Sequence, residues 1–211
     1  HARGVRVLLP FKPWDTSYTA SVKDSVDKII ELTARLDIDV FFLDTLDSVP
    51  SHFRDAVDRV KPGVVFQSEV RPYRPHNIRL ITSSWEQLWH QEPPMPGIDL
   101  FRFVMPEHAS PVLDRWAVGA KKDALIDRAI FNGTGLVIWQ DVFGCWLPYS
   151  SRQKEKIKRW KKVWHENKAV FQGMRPIPLY PVLGGELYCN LFRSDDGREA
   201  IYTIYNDGDE E

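Results

Sequence analysis

The sequence predicts an α/β fold, namely the C-terminal part of a (β/α)8 TIM barrel followed by the start of an antiparallel β-sandwich domain. Up to Gly173, short apolar runs alternate with amphipathic helical stretches, which is the pattern of βα units around a parallel sheet. Beyond Gly173, three prolines punctuate a linker, and two segments of alternating apolar residues follow. We therefore expect a barrel part over 1–173, and over 174–211 a linker with a truncated β-domain.

Six predicted strands alternate with helices along the barrel part. The strands are 5–9, 40–43, 64–66, 78–82, 100–104 and 136–139. The helices are 21–36, 51–60 with Ser51 as N-cap, 113–131, and a long basic helix that ends at Phe171. A barrel of this type needs eight strands, so we expect the first two to precede this chain.

Composition is typical of an ordinary globular protein. Of the 211 residues, 43% are hydrophobic and 27% are charged, and the formal net charge is −1. This balance gives no long-range attraction to nucleic acid or to an anionic membrane, and no apolar stretch approaches the roughly 20 residues of a membrane span. We expect neither as a partner. The oligomeric state and a secreted or periplasmic location stay open.

One basic run, from Arg152 to Lys168, needs an explanation other than nucleic-acid binding. Within it, Ile157, Trp160 and Trp164 recur at three- and four-residue spacing. This spacing predicts an amphipathic helix whose solvated face carries the lysines and arginines.

The remaining motifs favour no metal, cofactor or nucleotide chemistry. Cys145 and Cys189 lie far apart in strand-like segments, which excludes a metal knuckle or a disulfide framework. The sequence has no HExxH pair, no GxSxG motif and no glycine-rich phosphate loop. We therefore expect no cofactor. In the tail, Asp196-Gly197 predicts a hairpin turn between ELYCNLF and EAIYTIYN.

Carboxylates and indoles follow the predicted strands one after another. In a parallel barrel the reacting groups lie where strands end. Indole faces stack on the apolar faces of sugar rings, and charged groups form hydrogen bonds to the hydroxyls. Cleavage of a glycosidic bond requires two carboxyl groups. The pattern therefore predicts a glycosidase acting on a carbohydrate substrate.

Asp44 and Glu69 are the predicted catalytic pair. Asp44 follows the strand 40–43 without a spacer, and Glu69 follows the next strand, one βα unit later. Two carboxyl groups at adjacent strand ends can approach the roughly 5 Å that retaining hydrolysis needs, and an inverting separation stays open. Asp44 could alternatively cap the next helix, and Glu69 could pair with Arg71 or Arg74. Asp141 or Glu86 could also act in place of Glu69.

Several further strand-end residues are predicted to bind substrate. They are Lys12, Trp14, Asp15, Arg71, Glu107, His108, Trp139 and Asp141. For Glu107 and His108, and for Glu86, a loop salt bridge is the alternative. Trp85, Trp139 and Trp146 could either stack on sugar or belong to the core. Trp116, Trp160 and Trp164 lie at helical positions and are predicted to pack inside.

Three segments, HARGVRVLLPFKPWD, DVFFLDTLDS and GVVFQSEVRP, resemble the middle strands of retaining glycoside hydrolases. In the α-amylase-like and endo-α-N-acetylgalactosaminidase-like enzymes, an Asp nucleophile follows barrel strand 4 and an acid/base Glu follows strand 5. The resemblance implies these roles for Asp44 and Glu69. The tail, with RWKKVWHENKAVFQG and PLYPVL, resembles the join between barrel and β-sandwich in a group of bacterial glycosidase-like proteins.

The chain departs from two patterns of these enzymes. Phe42 stands where α-amylases have an Arg, and Gln140-Asp141 stands in place of their His-Asp pair. The clan with α-galactosidases has its acid/base Asp after the sixth strand, where this chain offers Glu86. Because of these departures, the resemblance does not predict the substrate of this chain. The alternative from another class is a non-catalytic carbohydrate-binding barrel protein.

Overall fold

The computed structural model describes residues 6–12, 22–87, 96–142, 144–182 and 186–208. The chain divides into two compact units, His1–Trp85 and Glu86–Glu211. No helix among the described residues is long and apolar enough to cross a membrane. The predicted boundary between a barrel part over 1–173 and a β-domain part over 174–211 stays a prediction.

The first unit contains a four-stranded parallel sheet with helices between successive strands. Its elements in chain order are β1 (Leu8–Phe11), α1 (Val22–Leu36), β2 (Val40–Leu43), α2 (Ser51–Val60), β3 (Val65–Ser68), α3 (Pro75–Ile78) and β4 (Ser83–Ser84). The strand order is β1-β2-β3-β4, and every pair is parallel. All four strands therefore direct their carboxyl ends to one edge of the sheet.

The core of the first unit lies between this sheet and its helices. Phe41 and Leu43 of β2 and Phe66 of β3 alternate with less buried neighbours, as expected of strands that face a core on one side. They belong to one buried cluster with Ile29 of α1 and Val57 of α2. This packing fixes β2 and β3 side by side and so fixes the residues at their ends.

The second unit contains a three-stranded parallel sheet, helices and two hairpins. Its elements are β5 (Glu86–Gln87), α4 (Leu100–Val104), β6 (Val112–Leu113), α5 (Gly119–Phe131), β7 (Leu136–Val137), β8 (Asp141–Val142), β9 (Cys145–Trp146), α6 (Ser151–Glu166), α7 (Lys168–Phe171), β10 (Leu187–Arg193) and β11 (Ala200–Asn206). The sheet order is β5-β6-β7. The pairs β8–β9 and β10–β11 are antiparallel.

The predicted α/β class with a parallel sheet is confirmed, whereas a closed barrel is not shown by these two sheets. The helix 21–36, the strand 40–43 and the helix 51–60 are confirmed within one residue. The hairpin at Asp196-Gly197 is confirmed as well, with Gly197 at a φ of 71° in the turn. The predicted N-cap Ser51 is wrong, because the helix begins at Ser51 and Pro50 precedes it as N-cap.

The predicted strand 100–104 is wrong, because these residues form helix α4. The carboxylate of Asp99 accepts the N–H of Phe101 at 3.1 Å and so caps a helical turn. Leu100 and Val104, four residues apart, are 67% and 74% exposed, while Phe103 between them is buried. This is the exposure pattern of a helix turn. The prediction failed because a short, mostly apolar run is also typical of a buried strand.

Two further element boundaries differ from the prediction, one after α3 and one before α5. The predicted strand 78–82 is wrong, because Ile78 ends the one-turn helix α3 and strand pairing starts only at Ser83. The predicted helix 113–131 begins at Gly119, because Val112 and Leu113 pair with β5 and β7 as strand β6. Both shifts change which residues stand at strand ends.

The predicted amphipathic basic helix is confirmed as α6 and α7. Its first turn carries a capping box, in which the hydroxyl of Ser150 accepts the N–H of Gln153 and the side chain of Gln153 accepts the N–H of Ser150. Trp160 and Trp164 pack against the cluster around Phe171 and Phe192, as predicted. The same prediction is wrong for Trp116, which precedes α5 and is exposed. The basic residues lie mainly on the exposed side.

Candidate functional site

Asp44 lies directly at the carboxyl end of β2. Its N–H donates to the carbonyl of Phe11 at 3.2 Å and so extends the parallel pairing by one residue. Lys12, the residue after β1, places its Nζ 3.4 Å from Oδ2 of Asp44. The Asp44 side chain is 21% exposed. The structure thus brings together a carboxylate and an ammonium group from neighbouring strand ends.

Glu69 lies at the carboxyl end of β3, beside Asp44. Its N–H donates to the carbonyl of Leu43 at 3.1 Å, and its Oε2 accepts the N–H of Thr45 at 2.8 Å. Thr45 follows Asp44 and has a φ of 63°, a left-handed conformation that is uncommon for a residue other than glycine. The side chain of Glu69 is buried. Two acidic residues therefore occupy adjacent strand ends and are joined through one peptide group.

The other candidates of the first unit have mixed outcomes. Arg71 is half-buried, two residues beyond Glu69, and the guanidinium of Arg74 lies 6.0 Å from the ring centre of Tyr73. Pairing of Glu69 with either arginine stays an open alternative. Trp14 and Asp15 lie outside the described residues. Trp85 belongs to the core, because it is buried and stacks on Phe42 with 4.3 Å between ring centres.

In the second unit, Glu86 forms a buried ion pair. Nη2 of Arg128 lies 2.5 Å from Oε1 of Glu86, and Nε lies 3.1 Å from both carboxylate oxygens. Both side chains are buried, so this is a structural pair between β5 and α5. Its geometry favours the salt-bridge alternative for Glu86 over a catalytic role.

Glu107 and His108 border a cleft of about 320 Å³. Glu107 is exposed, whereas His108 is buried with its ring 5.4 Å from that of Phe101. Arg102 lines the same cleft and donates to the carbonyl of Phe171, and burial lowers the pKa of its guanidinium to about 10. Substrate binding by Glu107 and His108 stays a prediction.

Three residues that the sequence analysis missed form a buried polar cluster, the Asp114 cluster, which consists of Asp114, Lys122 and Tyr149. Asp114 directly follows β6, and its Oδ2 accepts the hydroxyl of Tyr149 and lies 3.6 Å from Nζ of Lys122. That ammonium group also lies 4.0 Å from the centre of the Tyr149 ring. Burial raises the pKa of Asp114 and the pKa of Tyr149.

The Asp114 cluster holds the segment that carries two predicted substrate ligands, Trp139 and Asp141. Oδ1 of Asp114 accepts the N–H of Trp139 at 2.9 Å, and the Trp139 ring lies 5.1 Å from the guanidinium carbon of Arg115. Asp141 is exposed on β8, opposite Trp146 of β9. The available signal for Asp114 was its position directly after an apolar pair. Because the strand was predicted at 100–104 instead of at Val112 and Leu113, Asp114 was not recognised as a strand-end residue.

The part of the chain that the structure describes offers no candidate metal site. Among the described residues, no group of three or more histidine, cysteine, aspartate or glutamate side chains could hold a metal ion. The two cysteines are free, with Cys145 exposed and Cys189 buried.

Solved structures of glycoside hydrolases share this fold. A GH36 α-galactosidase, AgaA from Geobacillus stearothermophilus, matches with a TM-score of 0.54 at 14% identity, over 89% of this chain and 30% of that chain. A debranching enzyme from Nostoc punctiforme matches with a TM-score of 0.61 at 14% identity, over 88% of this chain and 52% of that chain. No protein-family model matches the chain, and no curated protein matches it in sequence.

These matches define the class of fold. The chain has a glycoside-hydrolase-like α/β fold with a parallel sheet, and it spans about a third to a half of the length of the two neighbours. Identities near 14% support the fold alone. Variants of the α-galactosidase form crystalline complexes with raffinose and with stachyose, so that enzyme binds carbohydrate ligands.

Proposed function

We propose that this chain carries the catalytic carboxylates of a glycoside hydrolase that acts on oligo- or polysaccharides by a retaining mechanism. The observation that carries the proposal is the placement of Asp44 and Glu69 at the carboxyl ends of adjacent parallel strands, with Oε2 of Glu69 2.8 Å from the nitrogen of Thr45, the residue after Asp44. Retaining hydrolysis requires two carboxyl groups close together. The fold shared with glycosidases supports the same class.

In the proposed reaction, Asp44 is the nucleophile and Glu69 is the general acid and base. A carboxylate oxygen of Asp44 attacks the anomeric carbon while the leaving-group oxygen takes the proton of Glu69, so a glycosyl ester forms and the glycosidic bond breaks. Water then attacks the same carbon, Glu69 takes back a proton from it, and Asp44 leaves as a carboxylate. No cofactor enters either step.

The neighbouring residues fit these roles. Lys12 places a positive charge 3.4 Å from Asp44, where it can orient the nucleophilic carboxylate. Burial of Glu69 limits competition from bulk water for its proton. Glu86, which the sequence offers where the α-galactosidase clan has its acid/base Asp, is engaged by Arg128, so Glu69 is the stronger choice for the second carboxylate.

The experiment is a cleavage assay of the full-length protein on a panel of aryl α-galactosides and α-glucosides. Glu69→Gln should lower kcat/KM by about 10²–10⁴-fold, the range for loss of a positioned proton-transfer group. Asp44→Asn removes the nucleophile, so the glycosyl ester cannot form, and it should lower kcat/KM at least as far. Asp47→Asn is the matched control, because Asp47 lies on the same loop and accepts a hydrogen bond from Asn77 at 3.0 Å. That control should cleave like the parent.

Azide separates the two roles. With Glu69→Ala, azide should restore turnover and give a glycosyl azide of retained configuration, since the glycosyl ester on Asp44 still forms. With Asp44→Gly, the azide product should have inverted configuration. Equal cleavage by the parent and both carboxylate variants would exclude this pair.

A non-catalytic carbohydrate-binding protein is the second candidate, and the exposed indole of Trp146 favours it. Binding of an oligosaccharide without cleavage of any member of the panel by the full-length protein would support that function and reject hydrolysis.

A further inference from the structure

The β8–β9 hairpin presents an indole and a carboxylate side by side at the surface. Asp141 and Trp146 are directly opposite in the antiparallel register, so their side chains project from the same face with Cβ atoms about 4.5–5.5 Å apart. Trp146 is 65% exposed, and Asp141 is exposed as well. A flat indole face beside a carboxylate offers both contacts that a sugar ring needs, stacking on its apolar face and hydrogen bonds to its hydroxyls.

Hydrogen bonds of the Asp114 cluster fix the hairpin at both of its ends. On the incoming side, Asp114 accepts the N–H of Trp139 at 2.9 Å. On the outgoing side, Nζ of Lys122 donates to the carbonyl of Leu147 at 2.6 Å, and Tyr149 donates to Asp114. The N–H of Leu147 also donates to the carbonyl of Gln140 at 2.6 Å, which joins the two sides.

This anchoring gives the surface a defined geometry before any ligand arrives. Asp114 and Lys122 are at most 1% exposed, so the hydrogen bonds that hold the hairpin are sheltered from water. The turn itself contains Gly144 at a φ of 79°, a conformation that suits glycine. Asp141 and Trp146 are therefore held in place before a ligand arrives, and little binding free energy is lost in ordering the two strands that carry them.

We propose that the Trp146–Asp141 face of this hairpin is a binding subsite for a neutral sugar ring. The apolar face of the ring stacks on Trp146, and its hydroxyls donate to the carboxylate of Asp141. The carboxylate repels phosphate groups, which makes a nucleic acid a poor ligand here. The inference rests on the proposed carbohydrate function, but it concerns binding in the second unit and does not depend on cleavage.

The test is a titration of the full-length protein with raffinose, stachyose and maltotriose. Binding is measured by calorimetry and by the NMR shifts of the indole N–H groups. The Trp146 resonance is identified by its disappearance in Trp146→Phe, and it should shift during the titration. Trp146→Ala should raise Kd about tenfold, whereas Trp146→Phe should raise it less than about threefold, since a ring face remains. Asp141→Asn should raise Kd by a smaller factor, because the amide oxygen still accepts one hydrogen bond.

Tyr202→Ala is the matched control, since Tyr202 is an aromatic residue of the same unit that is 50% exposed and belongs to a different hairpin. It should leave Kd unchanged. All titrations are repeated with Asp44→Asn, so that a probe cannot be consumed if the proposed hydrolysis occurs. Cleavage by Asp44→Asn at the rate of the parent, with intact binding, would reject the proposed catalytic pair and leave this subsite standing.

Three results would overturn the subsite. One is the absence of binding of any of the three oligosaccharides to the folded protein at millimolar concentration. Another is an unchanged Kd in Trp146→Ala. The third is displacement of the sugar from Trp146 by choline chloride at equal concentration, because an indole beside a carboxylate would then be a cation site.

Discussion

Arg128 holds Glu86 through a forked ion pair in which the guanidinium Nη2 lies 2.5 Å from Oε1 and Nε lies 3.1 Å from each carboxylate oxygen. Both side chains are buried. The pair links the first strand of the second unit to helix α5, and it gives a direct test of whether Glu86 is a structural residue.

Removal of one member of this pair should destabilise the protein strongly. Arg128→Met leaves the Glu86 carboxylate buried without its guanidinium, and we expect a loss of about 3–5 kcal/mol in the free energy of unfolding, measured with urea. The double variant Glu86→Leu/Arg128→Met should recover most of this loss, because no buried charge is left. As a control, Arg159→Met removes an exposed pair with Glu155 and should change the free energy by less than about 0.5 kcal/mol.

The pH dependence of stability should show two opposite contributions from aspartates. Burial raises the pKa of Asp114 above its usual value of 3.8, so the folded state holds the proton more tightly than the unfolded state. The contribution of Asp114 is therefore fully present below pH 3.8 and is lost as the pH rises through the folded-state pKa. Asp114→Asn should flatten this part of the curve in urea titrations at stepped pH. An unchanged curve would contradict the assignment.

Asp39 contributes to the pH dependence of stability with the opposite sign. Its Oδ2 accepts the N–H of Val7 at 2.8 Å, and this hydrogen bond, together with Lys61 and Arg6, lowers the pKa of Asp39 below 3.8. Its contribution is present above pH 3.8 and is lost as the pH falls through the folded-state pKa. Asp39→Asn should therefore reduce the loss of stability in acid, measured by the same urea titrations, without changing the part of the curve that Asp114 contributes.

Gly133 should tolerate alanine poorly. It has a φ of 60°, and a Cβ there would lie 2.8 Å from Cζ of Phe192 and 3.0 Å from Cδ1 of Phe171. Gly197 has a similar φ of 71° but open space around it, so Gly197→Ala measures the backbone strain alone. We expect Gly133→Ala to cost about 1–3 kcal/mol more than Gly197→Ala in urea unfolding. Equal costs would mean that the two rings move aside freely.

The capping box of α6 should contribute measurably to stability. Ser150→Ala removes the hydroxyl that accepts the N–H of Gln153, at an expected cost of about 1 kcal/mol in the free energy of unfolding. Ser151→Ala is the matched control, because Ser151 is the first residue of the same helix and is exposed. The control should be neutral or slightly stabilising, and a larger loss in Ser151→Ala than in Ser150→Ala would contradict the assigned cap.

Sequence patterns predicted the first unit well because its signals are local. The periodic residues of α1 and the continuous run from Phe41 to Leu43 each identify one element without reference to the rest of the chain. The positions of Asp44 and Glu69 at strand ends follow from those elements. The Thr45 hydrogen bond to Glu69 was not predictable, because it joins residues 24 apart in sequence and the backbone of Thr45 takes an uncommon left-handed φ.

In the second unit the strands β5 to β9 are only two residues long, and tertiary pairing alone identifies them. Val112 and Leu113 carry no periodicity of their own, whereas the longer apolar run from Leu100 to Val104 looks like a strand and folds as a helix turn. Asp114 and its partners were missed for this reason. Its role depends on Tyr149, which is 35 residues away in sequence.

The carbonyl of Phe131, at the end of α5, accepts hydrogen bonds from two side chains of the last hairpin, Asn190 at 2.8 Å and Thr203 at 2.5 Å. A carbonyl in the last turn of a helix has no partner within that helix. During synthesis, α5 is complete some 59 to 72 residues before these donors leave the ribosome. The end of α5 should therefore remain frayed until the hairpin docks, which makes this docking a late step in folding.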